Sequence, residues 1–233
     1  MKLYKLTTQD NKTRKGESNE TIWGPGITHK VKGKNYDLCS SDLIHAYESP
    51  ELAVIMNPVH ANITDPILWE AKTKCRKIIN SGLKVGVKSL TTIRIIDVPV
   101  ITEHQRVRFA ILCVLKIYKE KLFVKWAKNW LSGKDQFYDM AETERAAERA
   151  GAAWSAAEAA AAGWAAEAAW AAAGAAWAAA GATRVEAARA AVRTGVAWSA
   201  RAAACVAEAR AGAKVITFQS LLLKAIKDEE RMP

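Results

Sequence analysis

The sequence predicts an α+β chain: a small mixed N-terminal α/β domain followed by long alanine-rich helices forming a helical hairpin or coiled-coil bundle. Three observations predict it. Up to Pro99, short apolar–polar alternations separated by Gly, Pro and Asn mark strands and turns. Between Pro99 and Pro233 there is no proline, as expected where helix dominates. Alanine, the strongest helix former, supplies 38 of the 73 residues from 141 to 213. The domains therefore read as 1–135, an α/β domain with a closing helix; 136–214, a helical hairpin; and 215–233, a C-terminal amphipathic helix.

Taken in order, "KLYKLTT" (2–8), "ITHKVKG" (27–33) and "LIHAY" (43–47) read as strands, and the Gly-Pro-Gly of "WGPGITH" as a tight turn. "SPELAVIM" opens a helix, with Ser49 as N-cap and Pro50 at the first helical position. That helix is expected to stop before Asn57-Pro58, because the residue preceding proline disfavours the α region. "ILWEAKT" (67–73) and "LKVGVKSLTTIRIIDV" (83–98) supply further strands. Thr102 and Gln105 match a capping box, opening helix that is expected to break near 118–121 and to stop at Gly133.

Within the alanine-rich region, Gly181 can end one helix, and Thr183 with Glu186 can cap another. A break near 181–183 gives helices of roughly 60 Å and 45 Å at about 1.5 Å per residue. Five glutamates (Glu142, Glu144, Glu148, Glu158 and Glu167) lie before it and six basic residues between 184 and 214 after it, so a hairpin would set an acidic arm beside a basic one. Trp170 and Trp177 share a helical face, and Gly174 and Gly181 lie close to it, alternating a large knob with a missing side chain. Trp154, Trp164 and Trp198 extend the tryptophan set around the helix. One partner helix cannot cover them all, and this predicts a homo-oligomer assembled through these residues.

Net charge is +10, and residues 1–140 carry 23 Lys+Arg against 14 Asp+Glu. Any attraction to nucleic acid therefore belongs to the N-terminal region. The uncharged run 168–183 is too short, and alanine too weakly apolar, to span a membrane. Four cysteines without a CxxC pair and no secretion leader point to the cytoplasm. The histidines lack metal-ligand spacing, "SGLKVGVKS" lacks a phosphate-loop pattern, and neither a metal nor a cofactor is expected.

The run "WGPGITH…LCSSDLIHAYESPELAVIMNPVHAN…ILWEAK…LKVGVKSLTTIRII" resembles the N-terminal domain of a group of uncharacterised bacteriophage and prophage proteins, in which an alanine-rich repeat tail follows. The resemblance implies a phage-encoded accessory protein in the bacterial host's cytoplasm. Interference with a host defence factor is the first role it suggests, with the N-terminal domain as recognition surface. A looser likeness, to ADP-ribosyltransferase-like folds, implies a nucleotide or NAD pocket lined by His45, Tyr47 and Glu70 as candidate catalytic residues. A basic nucleic-acid-binding protein is the third reading.

Overall fold

A computed structural model describes residues 1–38, 40–133, 172, 174–177, 179, 198, 199, 202 and 217–229. The chain divides into two units, Met1–Val100 and Ile101–Pro233.

Among its described residues the N-terminal unit holds nine strands and one helix. In order these are β1 (Lys2–Thr7), β2 (Lys12–Thr13), β3 (Thr21–Ile22), β4 (Thr28–Lys30), β5 (Ile44–Ala46), α1 (Pro50–His60), β6 (Ile67–Lys72), β7 (Ile79–Asn80), β8 (Val85–Val87) and β9 (Ser89–Ile96). They form a four-stranded sheet in the order β1-β6-β9-β4, a three-stranded sheet β5-β8-β7 and the hairpin β2-β3. Every pairing is antiparallel. Successive strand residues face opposite ways, so each sheet can present one face to a core. Leu3, Ala71 and Leu90 of the larger sheet meet Ile44, Ala46, Val85 and Val87 of the smaller, with Trp23 joining them. An isolated bridge from Tyr4 to Tyr47 ties β1 to the end of β5.

Ser49 caps α1 by accepting from the Leu52 amide, and Pro50 occupies its first turn. Contrary to expectation, the helix runs through Asn57-Pro58 to His60. The Asn57 side chain bonds Ile63 in both directions, Nδ2 to the carbonyl at 2.8 Å and Oδ1 from the amide at 3.1 Å. Its carbonyl also accepts from Ala61 and Asn62. Proline removes one donor in the final turn, and Asn57 organises the exit in its place.

Among the described residues, the second unit includes α2 (Glu103–Ile117), α3 (Lys121–Leu131) and α4 (Phe218–Glu229). The Thr102–Gln105 capping box is formed. Tyr118 leaves the helical region at φ −99°, ψ 124°, and Glu120 caps α3 through the Leu122 and Phe123 amides. Gly133 takes a φ of 82° beyond the end of α3, a left-handed position that suits glycine. Phe123, Trp126, Ala127 and Trp130, spaced three and four apart, give α3 one buried face.

The expected α+β architecture with a long helical hairpin or coiled-coil bundle is corrected. The described fold is mixed α/β with several antiparallel sheets and short helices, and no long hairpin or coiled coil occurs among the described residues. The longest of these helices, α2, has 15 residues, about 22 Å. The physical reason is local. Side chains of Ser49, Thr102 and Glu120 cap α1, α2 and α3, so these helices begin at local signals and stay short, and among the described residues of the alanine-rich region the buried ones are alanines and Ser199. The described residues there are helical, and Ala172, Ala175, Ala176 and Ala179 are buried at spacings of three and four. Trp177 is 53% exposed. The expected break near 181–183 lies outside the described residues.

Candidate nucleic-acid interface

The excess positive charge of the N-terminal unit gathers at one edge. Strand β4 pairs with the start of β9, Lys30 opposite Ser89 and Thr28 opposite Thr91. On the other side of β9, Lys72 at the end of β6 also lies opposite Thr91. The chain beyond each strand is then tied to the same place. Thr73 gives its hydroxyl to the Ser89 carbonyl at 2.7 Å, and the Val31 amide bonds the Lys88 carbonyl at 3.0 Å.

Lys88 organises the loop that follows β4. Its ammonium donates to the carbonyls of Gly33, Asn35 and Asp42 at 2.7, 2.8 and 2.7 Å. All three N–H groups are thereby used, and a charged donor makes each bond stronger than a neutral one. Gly33 is required by close approach, since a Cβ there would sit 1.9 Å from the Asp42 carboxyl carbon. Tyr36, 37% exposed, lies beneath two ammonium groups, Lys77 at 3.4 Å and Lys88 at 4.7 Å from its ring centroid. That contact draws the 73–78 segment against the 31–37 loop.

The resulting edge displays Lys30, Lys32, Lys34, Lys72, Lys74, Arg76 and Lys77, all exposed. Segments 28–37 and 72–80 hold these seven of the unit's 15 basic residues and only Asp37 of its ten acidic ones. The remainder of the unit is close to neutral, so the field is local to this edge. Sequence reasoning assigned the charge to the N-terminal region without locating it. The missing signal was the pairing of β4 and β6 onto one end of β9.

The residues expected to line a nucleotide pocket are distributed differently. Cross-strand register sets Arg94 beside Glu70, Glu70 beside Tyr4, and Tyr4 beside Tyr47. Glu70 is engaged by Arg94 at 2.9 Å and Lys2 at 3.3 Å, and its carboxyl is held below the usual range, mainly by the Arg94 bond. Tyr47 is buried, stacks on His60 at 6.1 Å, and has its hydroxyl pKa raised by burial. Glu70 and Tyr47 thus flank Tyr4, about two strand spacings or 10 Å apart. His45 pairs with Gly86 in the smaller sheet, outside that row. Burial foremost, then the charges of Lys84 and Lys5, push its imidazole down to about 4, so the ring is neutral at pH 7.

Of the expected assembly residues, Gly174 is helical and half-buried, and Trp177 and Trp198 are helical and exposed, at 53% and 38%. Trp154, Trp164, Trp170 and Gly181 lie outside the described residues. Among the described residues no cluster of His, Cys, Asp and Glu could hold a metal, and no helix is long and apolar enough to cross a membrane.

No protein-family model matches the chain, and neither a curated protein nor a solved structure matches it.

Proposed function

We propose that the N-terminal unit binds nucleic acid through its basic edge. Of the three readings the sequence allows, this one draws the most support from the geometry. The observation that carries it is the bringing together, at one end of β9, of two segments that carry seven exposed basic residues and one carboxylate, with Lys77 against the partly exposed ring of Tyr36. Lysines at such an edge neutralise backbone phosphates and release their counterions, giving sequence-independent affinity. An aromatic ring beside a cationic track adds a face on which an unpaired base can stack, which favours single strands. No described element of this unit is an exposed helix of the kind that enters a major groove.

The test is fluorescence anisotropy with a labelled single-stranded oligonucleotide at several salt concentrations. The expected result is binding whose log affinity falls linearly with log salt, at about −0.7 per phosphate contacted. Replacing Lys32, Lys34, Lys74 and Lys77 together by Gln should weaken binding about 10- to 100-fold and flatten that slope. Affinity unchanged by salt, or by the quadruple substitution, overturns the reading.

A further inference from the structure

Tyr36 stands in the loop between β4 and β5 without the usual reasons for an aromatic residue. Its ring is 37% exposed, so it is no core side chain, and among the described residues its hydroxyl makes no hydrogen bond. The backbone that carries it is nevertheless fixed on both sides. Before it, the Asn35 amide donates to Asp42 Oδ2 at 2.9 Å, and the Asn35 carbonyl accepts from Lys88 at 2.8 Å. After it, the Asp37 amide donates to Asn35 Oδ1 at 2.8 Å, and the Ser40 amide donates to the Asp37 carbonyl at 3.0 Å. An exposed aromatic ring is therefore held in place, with little freedom left to lose on binding.

The two ammonium groups over that ring are not equivalent. Lys88, 4.7 Å from the centroid, uses its three protons on the Gly33, Asn35 and Asp42 carbonyls, so it stays where it is. Lys77, at 3.4 Å, is exposed and has no hydrogen bond or ion pair among the described residues. A cation–π contact at an exposed site is weak beside the stacking of a nucleobase on an aromatic face. The ring under Lys77 is thus covered by a group that a base can displace. The displaced ammonium, on its flexible four-carbon stem, can then turn to a phosphate of the same strand.

Resting on the nucleic-acid reading of this edge, we propose that Tyr36 is its base-binding residue and that Lys77 occupies the ring until an unpaired base takes its place. This narrows the ligand to single-stranded segments and splayed-out ends. A paired duplex keeps its base faces inside the stack and offers the edge only phosphates.

Fluorescence anisotropy of the full chain with two labelled strands tests this. One is a single-stranded oligonucleotide, and the other has the same number of phosphates with every nucleotide abasic. The readout is the ratio of the two affinities at one salt concentration, because loss of a phosphate contact weakens both strands alike. Wild type should favour the base-bearing strand about tenfold. Tyr36→Leu should bring that ratio close to one, and Tyr36→Phe should keep it, since Phe preserves the ring face. Lys77→Gln should weaken both strands yet raise the ratio about two- to fivefold, the ring no longer being covered. A wild-type ratio near one, or a preference that survives Tyr36→Leu, overturns the assignment of Tyr36. An unchanged ratio in Lys77→Gln overturns the displacement. Should Tyr36→Leu lose its circular dichroism spectrum, the Lys77→Gln ratio decides alone. Salt-dependent binding to the abasic strand with a ratio near one sinks the base site and leaves the nucleic-acid reading standing, whereas binding to neither strand removes both.

Discussion

In the N-terminal unit, lysines and arginines outnumber the carboxylates placed to answer them. In the second unit, buried and half-buried charges meet partners across helices. Arg108, 3% exposed, gives Nη1 to the Leu131 carbonyl at 2.9 Å and faces Asp228 of α4 at 3.8 Å. Glu229 accepts from the Thr102 hydroxyl at 3.1 and 3.0 Å and from His104 Nδ1 at 3.0 Å, joining the end of α4 to the start of α2. A charge satisfied within its own unit holds elements together. A charge left over at an edge or under an aromatic ring is available to a ligand. Lys88 belongs to the first kind although it lies in the cationic unit, because its three protons are all spent on backbone carbonyls.

Lys88→Met gives the largest expected effect and tests whether one residue links the two uses of charge. Three carbonyls of the 33–42 loop lose a charged donor, and the expected cost is about 2–4 kcal/mol, reduced where water can replace it. Urea denaturation measures that cost. Trypsin should cut the loop at Lys32 or Lys34 sooner than in wild type, and oligonucleotide affinity should fall by more than the loss of one charge explains. If stability drops while affinity changes by only one charge, the loop is not positioning the basic edge.

Glu229→Ala is the matching change in the second unit. It leaves Thr102 and His104 without this acceptor while the capping box between Thr102 and Gln105 remains. A loss of about 1–2 kcal/mol is expected, with faster amide exchange in α4 and unchanged oligonucleotide affinity. Altered affinity would mean that the pairing of α4 with α2 bears on ligand binding.

These contrasts also account for what could be read from the residue order. The Ser49 cap, the Thr102 capping box, the break after Ile117 and the stop at Gly133 are encoded within a few residues, and each is legible in the sequence. The passage of α1 through Pro58 was not, because the Asn57–Ile63 bonds that support its exit form only in the folded loop. The row from Arg94 to Tyr47 and the gathering of lysines at β9 depend on antiparallel register between distant segments, which composition and periodicity do not specify. Lys5 falls in the same category. In "KLYKLTT" it is a polar residue in an alternating run, and only the placement of Trp23 and His45 turns it into an enclosed ammonium. In the alanine-rich region the described residues bury Ala172, Ala175, Ala176 and Ala179 and leave Trp177 exposed, and side-chain size alone does not say which face a helix buries.

The smallest effect comes from the proton balance of His45. Its folded-state value of about 4 lies below the ordinary 6.5, so between those limits the unfolded chain holds more protons than the folded one. Stability contributed by the neutral ring is complete above about pH 6.5 and is lost as pH falls toward 4. The full linkage for such a difference is about 3 kcal/mol, and partial exposure of the ring lowers the expected amount to about 1 kcal/mol. His45→Asn keeps a short polar side chain but cannot titrate. The difference in unfolding free energy between wild type and His45→Asn should therefore shift by about that amount between pH 7 and pH 4, in favour of the variant at the acid end. A difference that stays constant across the range would mean that His45 is solvated in the folded chain.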